Sequence, residues 1–182
     1  MKNFFTILPA VLGLALSAMA SDKLPVVGGK EMYPTKNIVE NAVNSADHTT
    51  LVAAVKAAGL VETLQSPGPF TVFAPVNSAF DKLPPGTVDT LLKPENKDAL
   101  VKVLTYHVVA GKMSSLDLKK AIKAGNGKAM LKTVSGGTLT AMMSGKNIVL
   151  KDEKGGMSTI TIANVFQSNG VIHVVDSVVL PN

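Results

Sequence analysis

Few residues in this chain can do chemistry: three histidines (His48, His107 and His173), a scatter of Asp, Ser and Thr, and no cysteine. Hydrolysis by a nucleophile, base and acid finds little support in their spacing. His173 and Asp176 stand three apart in a stretch that reads as a strand, which sends them to opposite faces unless a bulge intervenes. Ser78 lies in Val76-Asn77-Ser78-Ala79-Phe80, without the flanking glycines that let a nucleophilic serine sit strained and exposed. Metal binding lacks a His-x-x-x-His pair or a carboxylate-rich loop, and joining His107 to His173 would take a tertiary meeting. No enzyme, metal or cofactor is expected. His107 reads instead as an imidazole on an apolar strand, hydrogen-bonded to backbone or to a polar residue such as Asn77. Asn77 itself reads as a turn former, Tyr106 as a buried ring with a bonded hydroxyl, and His173 and Asp176 as structural.

Charge is the second candidate. The formal net charge is +5, and every basic residue is a lysine. Residues 112 to 132 hold six of them (Lys112, Lys119, Lys120, Lys123, Lys128 and Lys132) against one acid, Asp117. This segment is either an anion-facing patch, suited to an anionic polysaccharide or lipid headgroups, or a well solvated helix face. Nucleic acid is not an expected partner. Without arginine there is no bidentate contact to guanine or phosphate, and 4% aromatics leave few platforms for stacked bases.

The amino-terminal residues 1–20 have the pattern of an export signal: Lys2, an apolar run from Phe4 to Leu16, and Ala18-Met19-Ala20 as the cleavage site. The mature chain is expected to begin at Ser21 and to be secreted or periplasmic. No later run is long enough to span a membrane, and neither lipidation at an amino-terminal Cys nor a hydrophobic carboxyl-terminal anchor is expected. About 160 residues usually make one domain with one core. Without disulfides, packing and hydrogen bonds must hold it.

The elements that must position these residues read as helices first and strands afterwards. Residues 21–34 carry Pro25, Gly28, Gly29 and Pro34 and read as a leader strand or linker. A domain is expected over 35–182. Thr35 and Asp47 are candidate caps of two helices, the first burying Ile38, Val39, Ala42 and Val43, the second Leu51, Val55 and Ala58 before Gly59. Phe70 to Ala74 is a strand, turned by Pro75 into a short helix. Thr87 and Pro94 open two more helices, and Thr105 to Val109 reads as a strand. A helix over 116–123 is followed by strands at 129–134, 138–143, 147–151, 158–166 and 171–179, with Asn169-Gly170 as a hairpin turn. That order predicts an α+β domain with antiparallel sheets.

Across nearly all of its mature length the chain resembles the fasciclin domain. Thr71-Val-Phe-Ala-Pro-Val-Asn-Ser-Ala-Phe80, the dipeptide Tyr106-His107, and Asn169-Gly-Val-Ile-His-Val-Val-Asp176 match the three family boxes in order, extended by Val178 to Pro181. The likeness is to single-domain exported bacterial members. It implies a wedge of two mainly antiparallel β-sheets with a layer of short helices, and a role in adhesion or extracellular binding, by a monomer. The expected partner is a cell-surface or matrix protein or an anionic polysaccharide. In animal members the Tyr-His segment and an Asp-Ile pair ahead of the closing box are associated with integrin binding. Asn164-Val165-Phe166 stands at the second position without the acid that an integrin's metal would need, so integrin binding is not carried over. The partner contact is expected at an exposed edge of Tyr106, His107, Asn164, Val165 and Phe166. Some algal members bind carotenoids, so a carrier of a small apolar ligand is the alternative, with Met130, Met142, Met143 and Met157 as its lining.

Overall fold

The computed structural model describes residues 23–182, so the expected export signal lies outside the described residues. The stretch read as a leader strand or linker contains a hairpin, β1 (Val26–Val27) and β2 (Lys30–Glu31), and folds onto the rest: Val27 and Met32 are buried in a helical core. Three helices follow, α1 (Ile38–Ala42), α2 (Thr49–Ala58) and α3 (Val61–Gln65). Asn37 rather than Thr35 caps α1, exchanging bonds with Glu40 in a capping box. Val43 falls past the end of that helix and is exposed, while Asn41 is buried. Asp47 does not cap α2, because a 3₁₀ turn over Ala46–His48 intervenes and the acceptor comes from elsewhere: Asn77 Oδ1 takes the Thr50 N–H at 3.1 Å. Gly59 ends α2 in the left-handed conformation.

The chain then enters β3 (Phe70–Pro75), turns into α4 (Asn77–Asp81), and runs through α5 (Thr87–Leu91) and α6 (Lys97–Tyr106) to β4 (Val108–Ala110) and α7 (Ser115–Ala124). Gly86 rather than Thr87 is the residue before α5, with no side-chain cap. The strand expected over 105–109 is half helix. Leu100 and Leu104 bury one face of α6, Thr105 bonds back to the Val101 carbonyl, and the helix ends only at His107. Packing overrides the β-branched composition here. Val108 and Val109 keep the extended form because they pair with Val72 and Thr71.

Five strands complete the fold: β5 (Lys128–Lys132), β6 (Thr138–Ser144), β7 (Asn147–Lys151), β8 (Met157–Gln167) and β9 (Gly170–Val175). With β3 and β4 they form a seven-stranded array, β4-β3-β9-β8-β7-β6-β5, antiparallel throughout except for the parallel pair β3–β9. The last strand stops at Val175, short of the expected Val179, because Asp176 turns to bond Thr159. β8 belongs to two sheets. Its first residues pair with β7 and its later ones with β9, with register shifts between Ile160 and Ile162 and between Ile162 and Val165. Bulges bend a strand, and the two sheets meet again at a bridge between Val109 and Thr133. This is the α+β wedge with a helical layer.

Side-chain alternation along β3 divides the interior. Val72 and Ala74 face the helices, joining Leu51, Val55, Leu100 and Leu104, while Phe73 faces the space between the sheets with Tyr106, Leu118, Leu139, Leu150 and Val175. Register places Gly170 beside Phe70, so close that a methyl group on Gly170 would run into the Phe70 carbonyl. Gly170→Ala is therefore expected to lower stability by about 2–3 kcal/mol through backbone displacement. Urea unfolding checks this, with a lowered midpoint at unchanged slope.

Candidate functional site

All three imidazoles are buried, and each has both ring nitrogens committed. His107, at the end of α6, places Nδ1 2.8 Å from the Val103 carbonyl and takes the Val179 N–H on Nε2 at 3.2 Å. Those partners require Nδ1–H and an unprotonated Nε2, a single neutral tautomer. Burial pushes its pKa down from 6.5 to about 4. His173 on β9 is the reverse tautomer: Nε2–H donates to the Met113 carbonyl at 2.8 Å and Nδ1 accepts from the Asn164 N–H at 3.2 Å, with the ring stacked on Phe73. His48 spans Ser45 Oγ and the Ala74 carbonyl. Burial lowers the pKa of both as well.

Asp176 accepts from the Thr159 N–H and the Ser177 hydroxyl, so it does not orient His173. His107 does not meet Asn77, whose side chain instead joins Thr49, Thr50 and Ala46. Ser78 is exposed on α4, away from any free imidazole nitrogen. No group of three or more His, Asp or Glu among the described residues is placed to hold a metal ion.

The edge expected to contact a partner lies mostly inside. Tyr106 and His107 are buried because α6 carries them into the closed end of the wedge, and Val165 is buried by the helical core. The Tyr106 hydroxyl donates to the Thr138 carbonyl at 2.8 Å and accepts the Glu153 N–H at 3.2 Å, and burial pushes its pKa up to about 12. Asn164, at the bulge in β8, adopts φ 60° and turns its amide inward, accepting the Ser115 N–H at 2.7 Å and donating to Ser115 Oγ at 2.8 Å. Short amide side chains tolerate this left-handed conformation, the one local signal for it in the sequence. Phe166 alone of the five is exposed. Lys112 reaches over its ring, Nζ 5.0 Å from the centroid, a cation–π contact that sequence spacing does not reveal.

The lysine segment is not one patch. Leu118 and Ile122 of α7 share a core with Ala129 and Leu131 of β5, so Lys119, Lys120 and Lys123 take the solvent side of the helix. Alternation turns Lys128 and Lys132 to the other face of the sheet. Lys112 stands apart, over Phe166. The methionines do not line an interior space either: Met130, Met143 and Met157 are exposed, and Met142 is half-buried on the outward face beside Lys128. An apolar cavity of about 50 Å³ does exist elsewhere, under β1 and β2, lined by Val27, Met32, Leu51, Val55, Leu64 and Ile172 among others.

With its folded pKa near 4, His107 stays neutral where the unfolded chain, with a pKa near 6.5, takes up a proton. The unfolded state binds more protons in that window, so stability is level above about pH 6.5, falls as the pH drops towards 4, and has lost about 3 kcal/mol from this residue below it. Thermal unfolding across pH checks the slope. His107→Ala removes that share of it, and at neutral pH costs about 3 kcal/mol by leaving Val103 and Val179 without partners.

The Fasciclin domain family model matches residues 46–181. Protein sll1483 of Synechocystis sp. is 45% identical over 174 residues, covering 93% of this chain and 89% of that protein. Immunogenic protein MPB70 of Mycobacterium bovis is 35% identical over 145 residues, covering 77% of this chain and 66% of that one. A solved FAS1 domain pair from the insect cell adhesion molecule Fasciclin I matches with a TM-score of 0.71 over 80% of this chain and 51% of that chain, at 17% identity, a likeness of fold alone. The boxes around β3, Tyr106-His107 and β9 are the parts that build the interior of this wedge, and the chain that carries them belongs to the fasciclin domain family.

Proposed function

We propose that this is an exported, non-enzymatic adhesion protein that binds a protein of a cell surface or matrix through the surface around Phe166 and Lys112. The observation that carries this reading is the exposed ring of Phe166 under the Lys112 ammonium, just past a β8 bulge that Asn164, Ser115 and His173 fix from behind. An aromatic ring with an adjacent cation on a rigid support is the kind of anchor on which protein interfaces concentrate their energy. A catalytic reading loses its base, since every imidazole is neutral and spent on the fold. Export rests on the pattern of residues 1–20, and no helix among the described residues is long and apolar enough to cross a membrane.

An anionic polysaccharide is a weaker fit, because the six lysines face three ways. The carrier of a carotenoid-like ligand is weaker too. Pockets for such molecules run to about 300–1,000 Å³ and are mostly apolar; the apolar cavity here holds about 50 Å³, and the wider clefts at Tyr33 and at Phe80, of about 330 and 450 Å³, are open and edged by Lys30, Glu31, Asp81 and Asp89.

Binding of the purified protein to intact cells of its source tests the reading. Phe166→Ala and Lys112→Ala are each expected to weaken binding about ten-fold or more at unchanged Tm. Undiminished binding by both variants removes this surface from the function.

A further inference from the structure

Among the described residues, no element packs on the outer face of the sheet formed by β5 to β8 around Met130 and Met157, although Val149 on that face is buried among its neighbours. Met130 is 76% exposed and Met157 50%. Register puts them in one row across the four strands, Met130, Thr140, Lys151 and Met157, spanning about 14 Å at the usual strand spacing. The neighbouring row begins with Lys128 and Met142, and the next with Lys132. All three lysines are exposed, and the four strands contain no Asp or Glu. The acids that border the four strands are Glu153, beside Lys132, which accepts the N–H groups of Thr138 and Asn182, Asp152, buried in the β7–β8 turn, and Asp176, which accepts the Thr159 N–H.

We propose that this face docks on an anionic lipid bilayer, with Met130 and Met157 entering the interface and Lys128, Lys132 and Lys151 meeting lipid phosphates. Two weak signals must act together to hold a protein on a membrane, an apolar insertion and a basic surface, and this face carries both. Methionine is unbranched and adapts to disordered acyl chains, while lysine lays its methylenes on apolar surface and keeps its ammonium at the phosphate. Charge decides against the nearest alternative: a second copy of the same face would set lysines against lysines. A soluble polyanion would satisfy the lysines and leave the methionines in water. The face is separate from Phe166 and Lys112, so the proposal does not depend on the adhesive surface.

The test uses protein expressed in and purified from its source, co-sedimented with vesicles of equimolar phosphatidylglycerol and phosphatidylcholine, and with phosphatidylcholine alone. Binding to the mixed vesicles is expected to weaken about a hundred-fold when Lys128, Lys132 and Lys151 all become Gln, and about ten-fold in the double variant Met130→Ser, Met157→Ser. The triple change of Lys119, Lys120 and Lys123 to Gln, equal in charge but on α7, is expected to leave binding within about two-fold, since those lysines lie off this face. Equal loss from the α7 triple, no loss from the methionine changes, or no binding to either vesicle overturns the proposal. So does a dimer in sedimentation velocity that the methionine changes dissociate. Because the chain has no cysteine, Met130→Cys can carry a single nitroxide label. Protection of that label from a water-soluble quencher on mixed vesicles is expected, and full accessibility overturns the proposal independently of any change in folding.

Discussion

Every buried polar side chain in this fold must find a hydrogen-bond partner, and the way they do so holds the irregular connections to the sheets. No buried side-chain nitrogen or oxygen among the described residues lacks one. An unpaired group would cost about 1–3 kcal/mol each, and no disulfide is available to offset it. The partners are mostly backbone groups at places where helix or sheet ends. Asn169 accepts the first N–H of α1 and donates to the carbonyls of Leu64 and Ser66, so the turn before β9 fixes two helices. Asp152 accepts from Lys154, Gly156 and Leu180, tying the β7–β8 turn to the end of the chain. Thr71, itself buried within β3, donates to the Gly111 carbonyl and accepts from Met113 as the chain leaves β4.

The histidines belong to the same scheme, and this is why they are poor candidates for catalysis. A general base needs a nitrogen free to take a proton and a pKa near the working pH. His107 has neither, because a second proton on its ring would face the Val179 N–H in place of a lone pair. Acid therefore acts on this protein through its core. Among the side chains left on the outside are Phe166 with Lys112, the lysines of α7, and the methionines and lysines of the outer sheet face.

Much of the fold was legible in the sequence. The runs of β-branched residues, the glycine turns and the stripe ending at Gly59 mark their elements because local physics suffices there: alternation of faces, left-handed glycine, and a proline at the first turn. The Asn37–Glu40 capping box is itself local, and the larger departures fall where distant residues decide. Asn77 supplies the acceptor for α2 that Asp47 was expected to give. Packing of Leu100 and Leu104 carries α6 through Thr105 and Tyr106, whose composition favours a strand. The candidate site was less legible, because exposure depends on what covers a residue. Tyr106 and Phe166 are both aromatic residues in β-rich surroundings, and only the path of α6 into the wedge buries the one while the other is left exposed on β8.

Sequence alone determined the class of the domain, which follows from the order of helical and strand periods, and its family, which the three boxes at Thr71–Phe80, Tyr106-His107 and Asn169–Asp176 carry. Tertiary structure decided which of the legible residues meet. It committed the three histidines to backbone partners, separated the lysines by laying α7 and the outward residues of β5 on different sides of one sheet, and brought Lys112 to Phe166 across 54 positions of chain. The physical reason is that period and propensity fix how a segment presents its own faces, whereas partners remote in sequence depend on how the sheets bend, and here that bend is set by the bulges of β8.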